Sequence, residues 1–326
     1  MTQPVASVVI CTYNRPALFE AALRSCLSDA TRRAMPFEVV VADNSVGSHA
    51  AAIIERIPHG TATVRIVPVT PPNISLARNA GLRAAFAPLV AFMDDDLQVE
   101  PGWLDALVDV LGETGADVAL GPVRPRFFGG SPPDWDPTGA RFTRALAQPT
   151  GSPVAASGSA RPANFAVSTA SSIWRVASCF ADAEPFDPAF GACGGEDLDL
   201  FLRLERRGCR FVWCNEAGVH ETVLPGRMHL SYHRLRVYSG AQVYGAATVK
   251  NASLRWAALL SIGLRGLVQG LAFGVAALAL ALAGSLRGRR HARAATHATL
   301  MALAGWGKLT WWRRISLYHI EQPSER

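Results

Sequence analysis

The sequence predicts an α/β fold, a mostly parallel sheet with helices on both faces, and three observations carry that prediction. Short β-branched runs alternate with helical stretches over the first 120 residues, the pattern that builds parallel sheets through crossover connections. The runs lack polar alternation, as strands buried on both faces should. The run Leu89-Val-Ala-Phe-Met93 ends directly in three carboxylates, Asp94, Asp95 and Asp96. That puts hard oxygen atoms at a sheet's carboxyl edge, where open α/β sheets bind ligands.

In chain order, the runs Ser7 to Cys11, Phe37 to Ala42, Val64 to Val67 and Leu89 to Met93 are the expected strands. Helices are expected between them, from about Pro16, near Ala50 and from about Ser75. A helix around Trp103 to Leu111 and a strand at Val118 to Leu120 follow. Pro122 to Pro162 is rich in Pro, Gly, Ser and Ala, and a stretch of that length without regular structure is more often functional than decorative. It reads as a flap over a site. Order is expected to resume at Phe165 to Thr169 and Arg175 to Phe180, then as a helix from Glu196 to Arg207 and a strand at Phe211 to Cys214.

Charge divides the 326 residues unevenly. From Pro225 to the end there are 14 Lys plus Arg against 2 acids, so residues 1 to 224 carry the remaining 18 against 24, a net of −6. An acidic front part argues against nucleic acid as a partner, which would call for a basic stripe. The basic end is also the apolar one: Gly266 to Leu286 holds 21 residues without a formal charge. At about 1.5 Å per residue that is enough to cross a hydrocarbon core of roughly 30 Å. None of the six cysteines forms a CxxC pair or a zinc spacing, so they read as small buried hydrophobes in a reducing compartment. The apolar run Val5 to Ile10 is too short for a signal peptide, which keeps the front part cytoplasmic.

Four further motifs surround the acidic triplet. Cys11-Thr-Tyr-Asn-Arg-Pro16 follows the first strand and Asp43-Asn-Ser45 the second. Turns at the ends of neighbouring parallel strands face one crevice, so Tyr13 offers a ring to stack and Asp43 an acceptor for a base N–H. Asp43 by itself would serve equally as a cap or turn former. Asn73-Ile-Ser-Leu-Ala-Arg-Asn79 opens a helix, where free N–H groups and Arg78 favour a diphosphate or carboxylate. Gly194-Gly-Glu-Asp197 again sets acids after a flexible turn and before a helix, fitting either simple capping or a base that takes a proton from an acceptor hydroxyl.

In this order and spacing, these motifs, with lines such as VAFMDDDLQVEPGWL and GGEDLDLFLRLERRG, resemble the family-2 glycosyltransferases over about Val5 to Gly240. The resemblance implies a Rossmann-like GT-A catalytic domain over residues 1–240, followed by a helical membrane-associating region over 241–326. It assigns Thr12, Tyr13, Arg15, Asp43, Arg78, Asp94 and Asp95 to the donor nucleotide, with Asp96 the direct ligand of Mg²⁺ or Mn²⁺. The triplet permits a one-residue slip, which keeps Asp94 in play as the metal ligand. Asp197 would be the general base with Glu196 beside it, and the usual outcome is inversion by one displacement. His220 matches a position near the metal in related enzymes. Arg227, Arg234 and Arg236 lie where a basic segment closes over the diphosphate, or they bind lipid headgroups.

The tail carries two apolar segments, Leu254 to Leu286 and about Ala295 to Trp312, split by Arg287-Gly-Arg-Arg-His-Ala-Arg293. Two spans would put that Arg cluster outside, against the positive-inside rule. The expectation is therefore re-entrant or interfacial helices on anionic lipid, with Trp306, Trp311 and Trp312 at headgroup depth. A soluble hairpin, packed on the domain or in an oligomer, is the alternative. The expected protein is thus a transferase at the cytoplasmic face of a bacterial inner membrane, taking a nucleotide-sugar donor, UDP- or dTDP-linked, to a glycan or lipid-linked acceptor. Nucleotidyl transfer would want a Gly-rich, Lys-bearing phosphate loop after the first strand, which Cys11 to Pro16 is not. A non-catalytic scaffold of the same fold is the other competitor.

Overall fold

The computed structural model describes residues 3–28, 35–45, 47, 49–156, 168–287 and 289–316. Its contacts divide it into two compact units. The first comprises Met1–Arg126, Arg141–Gly191 and Glu196–Thr222; the second comprises Phe127–Ala140, Ala192–Gly195 and Val223–Arg326.

The first unit opens with β1 (Ala6–Thr12), α1 (Pro16–Leu27), β2 (Phe37–Asp43), α2 (His49–Arg56), β3 (Thr63–Pro68), α3 (Ile74–Ala84) and β4 (Leu89–Asp94). β5 (Leu97–Val99), α4 (Trp103–Thr114), β6 (Val118–Leu120), β7 (Val123–Phe127) and β8 (Pro153–Val154) follow. β9 (Ser171–Arg175), α5 (Val176–Cys179), α6 (Glu196–Arg206), β10 (Phe211–Trp213) and β11 (Val219–Val223) complete it. The main sheet runs β3-β2-β1-β4-β9-β6-β10-β8, and a smaller one runs β5-β11-β7.

The first four strands are mutually parallel, as the alternating pattern requires. β3, at the edge of the sheet, stays partly exposed, with Ile66 37% exposed, because it has a neighbour on one side only. The central residues of β1, β2 and β4 are buried, with Val8, Ile10, Val39 and Met93 packing on one face and Val9, Val40, Val90 and Phe92 on the other. Both faces are therefore covered, which is why these runs show no polar alternation.

The sheet as a whole is mixed: β9 lies antiparallel between β4 and β6. Order was expected at Phe165 to Thr169 instead; residues 165–167 lie outside the described residues, and Ser168 and Thr169 are not strand. Ser171-Ser-Ile-Trp-Arg175, most of which carried no expected element, is β9, and both of its hydroxyls are satisfied inside. Ser171 Oγ donates to the Ala217 carbonyl and accepts from Trp103 Nε1, and Ser172 Oγ donates to the Thr169 carbonyl and accepts from Trp174 Nε1. Paired hydroxyls cost little to bury. Part of the expected flap is ordered as β7 and β8, and its remainder from 157 lies outside the described residues. All six cysteines are free.

The second unit is helical: α7 (Pro225–Met228), α8 (Leu230–Lys250), α9 (Arg255–Arg287) and α10 (Arg289–Leu309). α9 and α10 form a hairpin at very close approach, since a Cβ on Gly266 would meet the Gly305 carbonyl at 2.9 Å and one on Gly270 the Trp306 ring at 3.1 Å. Gln269 Nε2 donates to the Met301 carbonyl and Lys308 Nζ to Gln269 Oε1 across the same seam. α10 closes back on α8 through Gln242 Nε2, which donates to the Thr310 and Arg313 carbonyls. Arg255–Ala283 is long and apolar enough, by length and composition, to cross a membrane.

Candidate active site

Register brings the carboxyl ends of β1, β2 and β4 side by side: Thr12 pairs with Asp43, and Cys11 with Asp94. The acidic triplet then splits between two cations. Asp95, 5% exposed, accepts from Thr12 Oγ1 at 3.0 Å and from the Tyr13 N–H at 3.3 Å. Arg15 Nη1 reaches Asp95 Oδ1 at 3.2 Å and Asp96 Oδ2 at 3.3 Å, so one guanidinium bridges both acids. Arg15 is held there because it is the N-cap of α1, with Pro16 starting the helix. Burial pushes the Asp95 carboxyl above its ordinary range, against the pull of Arg15, Thr12 and the Tyr13 N–H.

Asp94 faces the other way, to Arg78. The Arg78 guanidinium is buried; its Nη2 donates to Asp94 Oδ1 at 3.1 Å and its Nη1 to Glu196 Oε1. Arg78 thus ties the end of β4 to the start of α6. Burial by itself would disfavour its charge, but Glu196 and Asp94 outweigh that and raise its pKa. Gly194 and Gly195 precede α6 with φ of 81° and 89°, a left-handed pair that a side chain would strain. That turn delivers Glu196 and Asp197 onto the first turn of α6.

The second acidic pair is crowded. Burial pushes Glu196 up to about 7, with Arg78 pulling down and Asp197 pushing further up. Burial also raises Asp197, opposed by Arg78, the Leu198 N–H and Arg144, and reinforced by Asp94. Glu196 Oε2 is buried without a hydrogen-bond partner, an orphaned oxygen of the kind that marks a site waiting for a ligand group. Glu196 and Asp197 stand side by side around one buried guanidinium, and each makes the other harder to ionise.

Asp43 is buried, and its Oδ1 accepts the Ser45 N–H at 3.0 Å, so the turn-former role is present alongside any role at a base. His220 sits apart: its Nε2 lies 3.1 Å from Glu100 Oε1, and burial, Arg126 and Arg124 lower its pKa. It lies two positions along β11 from Thr222, whose N–H donates to the Asp96 carbonyl. Among the described residues no group of three His, Cys, Asp or Glu is arranged to hold a metal. Asp95 and Asp96 nonetheless offer adjacent carboxylates already sharing a cation. That donor set fits Mg²⁺ or Mn²⁺ held through one or two carboxylates and the substrate's phosphates.

Several residues position the site through contacts that the sequence does not show, three of them asparagines inside the motifs quoted above. Asn44 Nδ2 donates to the Val69 and Pro71 carbonyls and its Oδ1 accepts the Asn73 N–H, which ties the β2 loop to the start of α3. Asn73 caps α3 by accepting the Ser75 and Leu76 N–H groups. Asn79 exchanges two hydrogen bonds with the Phe186 backbone, at 2.8 and 3.0 Å. Arg144 Nη2 pairs with Glu221 Oε2 at 2.9 Å. The asparagines and Arg144 carry no spacing signal, because their partners are backbone groups or residues far along the chain. A groove of about 520 Å³ lined by Thr114, Pro153, Glu205 and Phe211 shares no residue with these acids.

Residues 7–160 match the family described as Glycosyl transferase family 2. Over 296 residues the chain is 31% identical to the succinoglycan biosynthesis protein ExoM of Rhizobium meliloti (strain 1021), covering 90% of each. Over 118 residues it is 30% identical to the hyaluronan synthase of Pasteurella multocida, covering 36% of this chain and 12% of that one. Among solved structures, S. aureus TarS 1-349 in complex with UDP superposes with a TM-score of 0.52 at 17% identity, covering 98% of this chain and 93% of that chain. The chain spans 54% of a longer TarS structure. The TarS likeness speaks for the fold. The ExoM match along nearly the whole length, the family match and the GT-A-like sheet agree: the chain is a glycosyltransferase and belongs to glycosyl transferase family 2.

Proposed function

We propose that this enzyme moves a sugar from a nucleotide-sugar donor, UDP- or dTDP-linked, to a hydroxyl of a lipid-linked or surface-polysaccharide precursor, with inversion. The observation that carries this reading is the bridge through Arg78, whose guanidinium contacts Asp94 after β4 and Glu196 at the start of α6. It holds the donor-side acids and the base-side acids at one edge of the sheet, as a single displacement needs. The polysaccharide acceptor is supported by the likeness to a succinoglycan biosynthesis protein, and the UDP donor by the likeness to a UDP-bound fold relative.

In this reading Asp197 accepts the proton of the attacking hydroxyl, and its raised pKa makes it a stronger base than an ordinary carboxylate. Glu196 hydrogen-bonds the acceptor through its unpaired Oε2. Thr12, Tyr13, Arg15, Asp43 and Asp95 hold the nucleotide, and Asp96 would hold a Mg²⁺ or Mn²⁺ ion, which would supply positive charge against that of the diphosphate. Arg78 is a positioning residue, both of its terminal nitrogens being engaged by carboxylates. His220, expected beside the metal, pairs its ring with Glu100. The catalytic residues lie within 1–240, with the helices beyond serving association with the cytoplasmic face of the inner membrane.

A panel of UDP-, dTDP- and GDP-sugars with and without Mn²⁺, read as nucleoside diphosphate release, tests the donor. Release from one nucleotide class, dependent on the cation, is expected. Release of pyrophosphate from a nucleoside triphosphate and a sugar phosphate would point instead to nucleotidyl transfer.

A further inference from the structure

We infer that the α9–α10 hairpin is a one-leaflet membrane platform, in which α9 lies in the plane of an anionic bilayer surface and does not cross it. The inference rests on the membrane-associated reading above and adds the face and the mode of binding. Trp256, Leu260, Leu264, Leu271, Val275 and Leu282 are 53–69% exposed, with Leu267, Val268 and Leu278 filling the turns between. Their spacing of three and four residues is one continuous face of a helix, about 39 Å long at 1.5 Å per residue. The opposite face, with Gly266, Gly270 and Gln269, is the one occupied by α10. An exposed apolar stripe of this size marks a partner that is itself apolar. Charge identifies it, since the chain from Pro225 onward has 14 basic residues against 2 acidic ones, the complement of an anionic lipid surface.

Two observations set the orientation against a span. The helix packed along α9 is too polar to accompany it through hydrocarbon: α10 carries Arg293 and His297 exposed, and Lys308 in the seam. The far end of the hairpin is also tied, through the segment Phe127–Ala140, to the start of α8. Arg293 Nε donates to the Asp134 carbonyl at 3.2 Å, and the adjacent Trp135 donates to the Met228 carbonyl at 2.9 Å and packs on His233 near the start of α8. The end of α9 therefore lies on the same side as the start of α8, and α8, which carries Arg234, Arg236 and Lys250, is itself too polar to take the start of α9 across a bilayer.

The test uses the full chain and sealed vesicles made of equal parts phosphatidylcholine and phosphatidylglycerol. Ser253→Cys before α9 and Ala292→Cys after it are single exposed reporters, treated with a membrane-impermeant maleimide and read by peptide mass. Flotation with the vesicles is expected, with both positions labelled from outside as fully as after detergent lysis. Leu264→Glu with Leu271→Glu should lower vesicle binding on the order of tenfold or more, while nucleoside diphosphate release in vesicle-free buffer, a check on folding, stays unchanged. Position 292 protected until lysis, no flotation, or flotation untouched by the double variant at retained release would each overturn the inference. A chain that floats and labels as expected but releases no nucleoside diphosphate would count against the transferase reading and leave the platform standing.

Discussion

Arg78 is the residue on which the two acidic motifs meet, and its neighbours decide what its loss would do. Arg78→Met leaves Glu196 and Asp94 without their shared cation, and breaking a buried pair from one side costs about 3–5 kcal/mol. Chemical denaturation should show that loss, with Arg78→Lys recovering part of it. Asp197→Asn removes the proposed proton acceptor without touching Asp95 or Arg15. It should bind donor nucleotide as tightly as the parent in calorimetry while losing transfer by at least about a hundredfold, and full activity in that variant would remove Asp197 from the base role. The raised carboxyls also set the pH dependence. With Asp197 above its ordinary value beside Glu196 at about 7, the base becomes protonated as pH falls, so the acid limb of kcat, read from a pH profile, lies above that of an ordinary carboxylate. At this scale the triplet and the Glu-Asp pair stand out in the sequence as acids after a strand and a turn. What each acid touches does not, because Arg15 stands 80 residues from Asp95, and Arg78 stands 16 residues from Asp94 and 118 from Glu196.

α3 carries Arg78 into place, and its fixation is a property of the element. Its start is capped by Asn73 and tied through Asn44 to the β2 loop, while Asn79 exchanges two hydrogen bonds with the Phe186 backbone. Asn79→Ala would leave that buried backbone pair unsatisfied, at about 1–3 kcal/mol for each group. A lowered melting temperature is expected, together with weaker turnover from a less constrained Arg78. The helices and parallel strands of the first half are legible because their hydrophobic runs obey a simple period. β9 is not, since its buried hydroxyls look like loop until their partners are seen. The small sheet β5-β11-β7 is missed for a similar reason: short, half-polar strands owe their existence to distant partners.

Across the whole molecule, charge is partitioned as function requires, with an acidic part that holds the carboxylate clusters and a basic, apolar end. Raising salt to about 1 M shortens the Debye length to roughly 3 Å and should weaken binding to anionic vesicles. Nucleoside diphosphate release in solution should change little, and the two readouts separate membrane docking from chemistry. The sequence alone determined the α/β class, the order of the acidic motifs and the presence of a long apolar segment, because each is encoded in local periodicity or in adjacent residues. Only the tertiary structure decided that Asp94 turns to Arg78 while Asp95 and Asp96 turn to Arg15, that an antiparallel strand enters the sheet, and that the far end of α9 returns to the segment Phe127–Ala140. Those are long-range pairings, and which partner a charge or a strand edge finds depends on chain folding that no local pattern records.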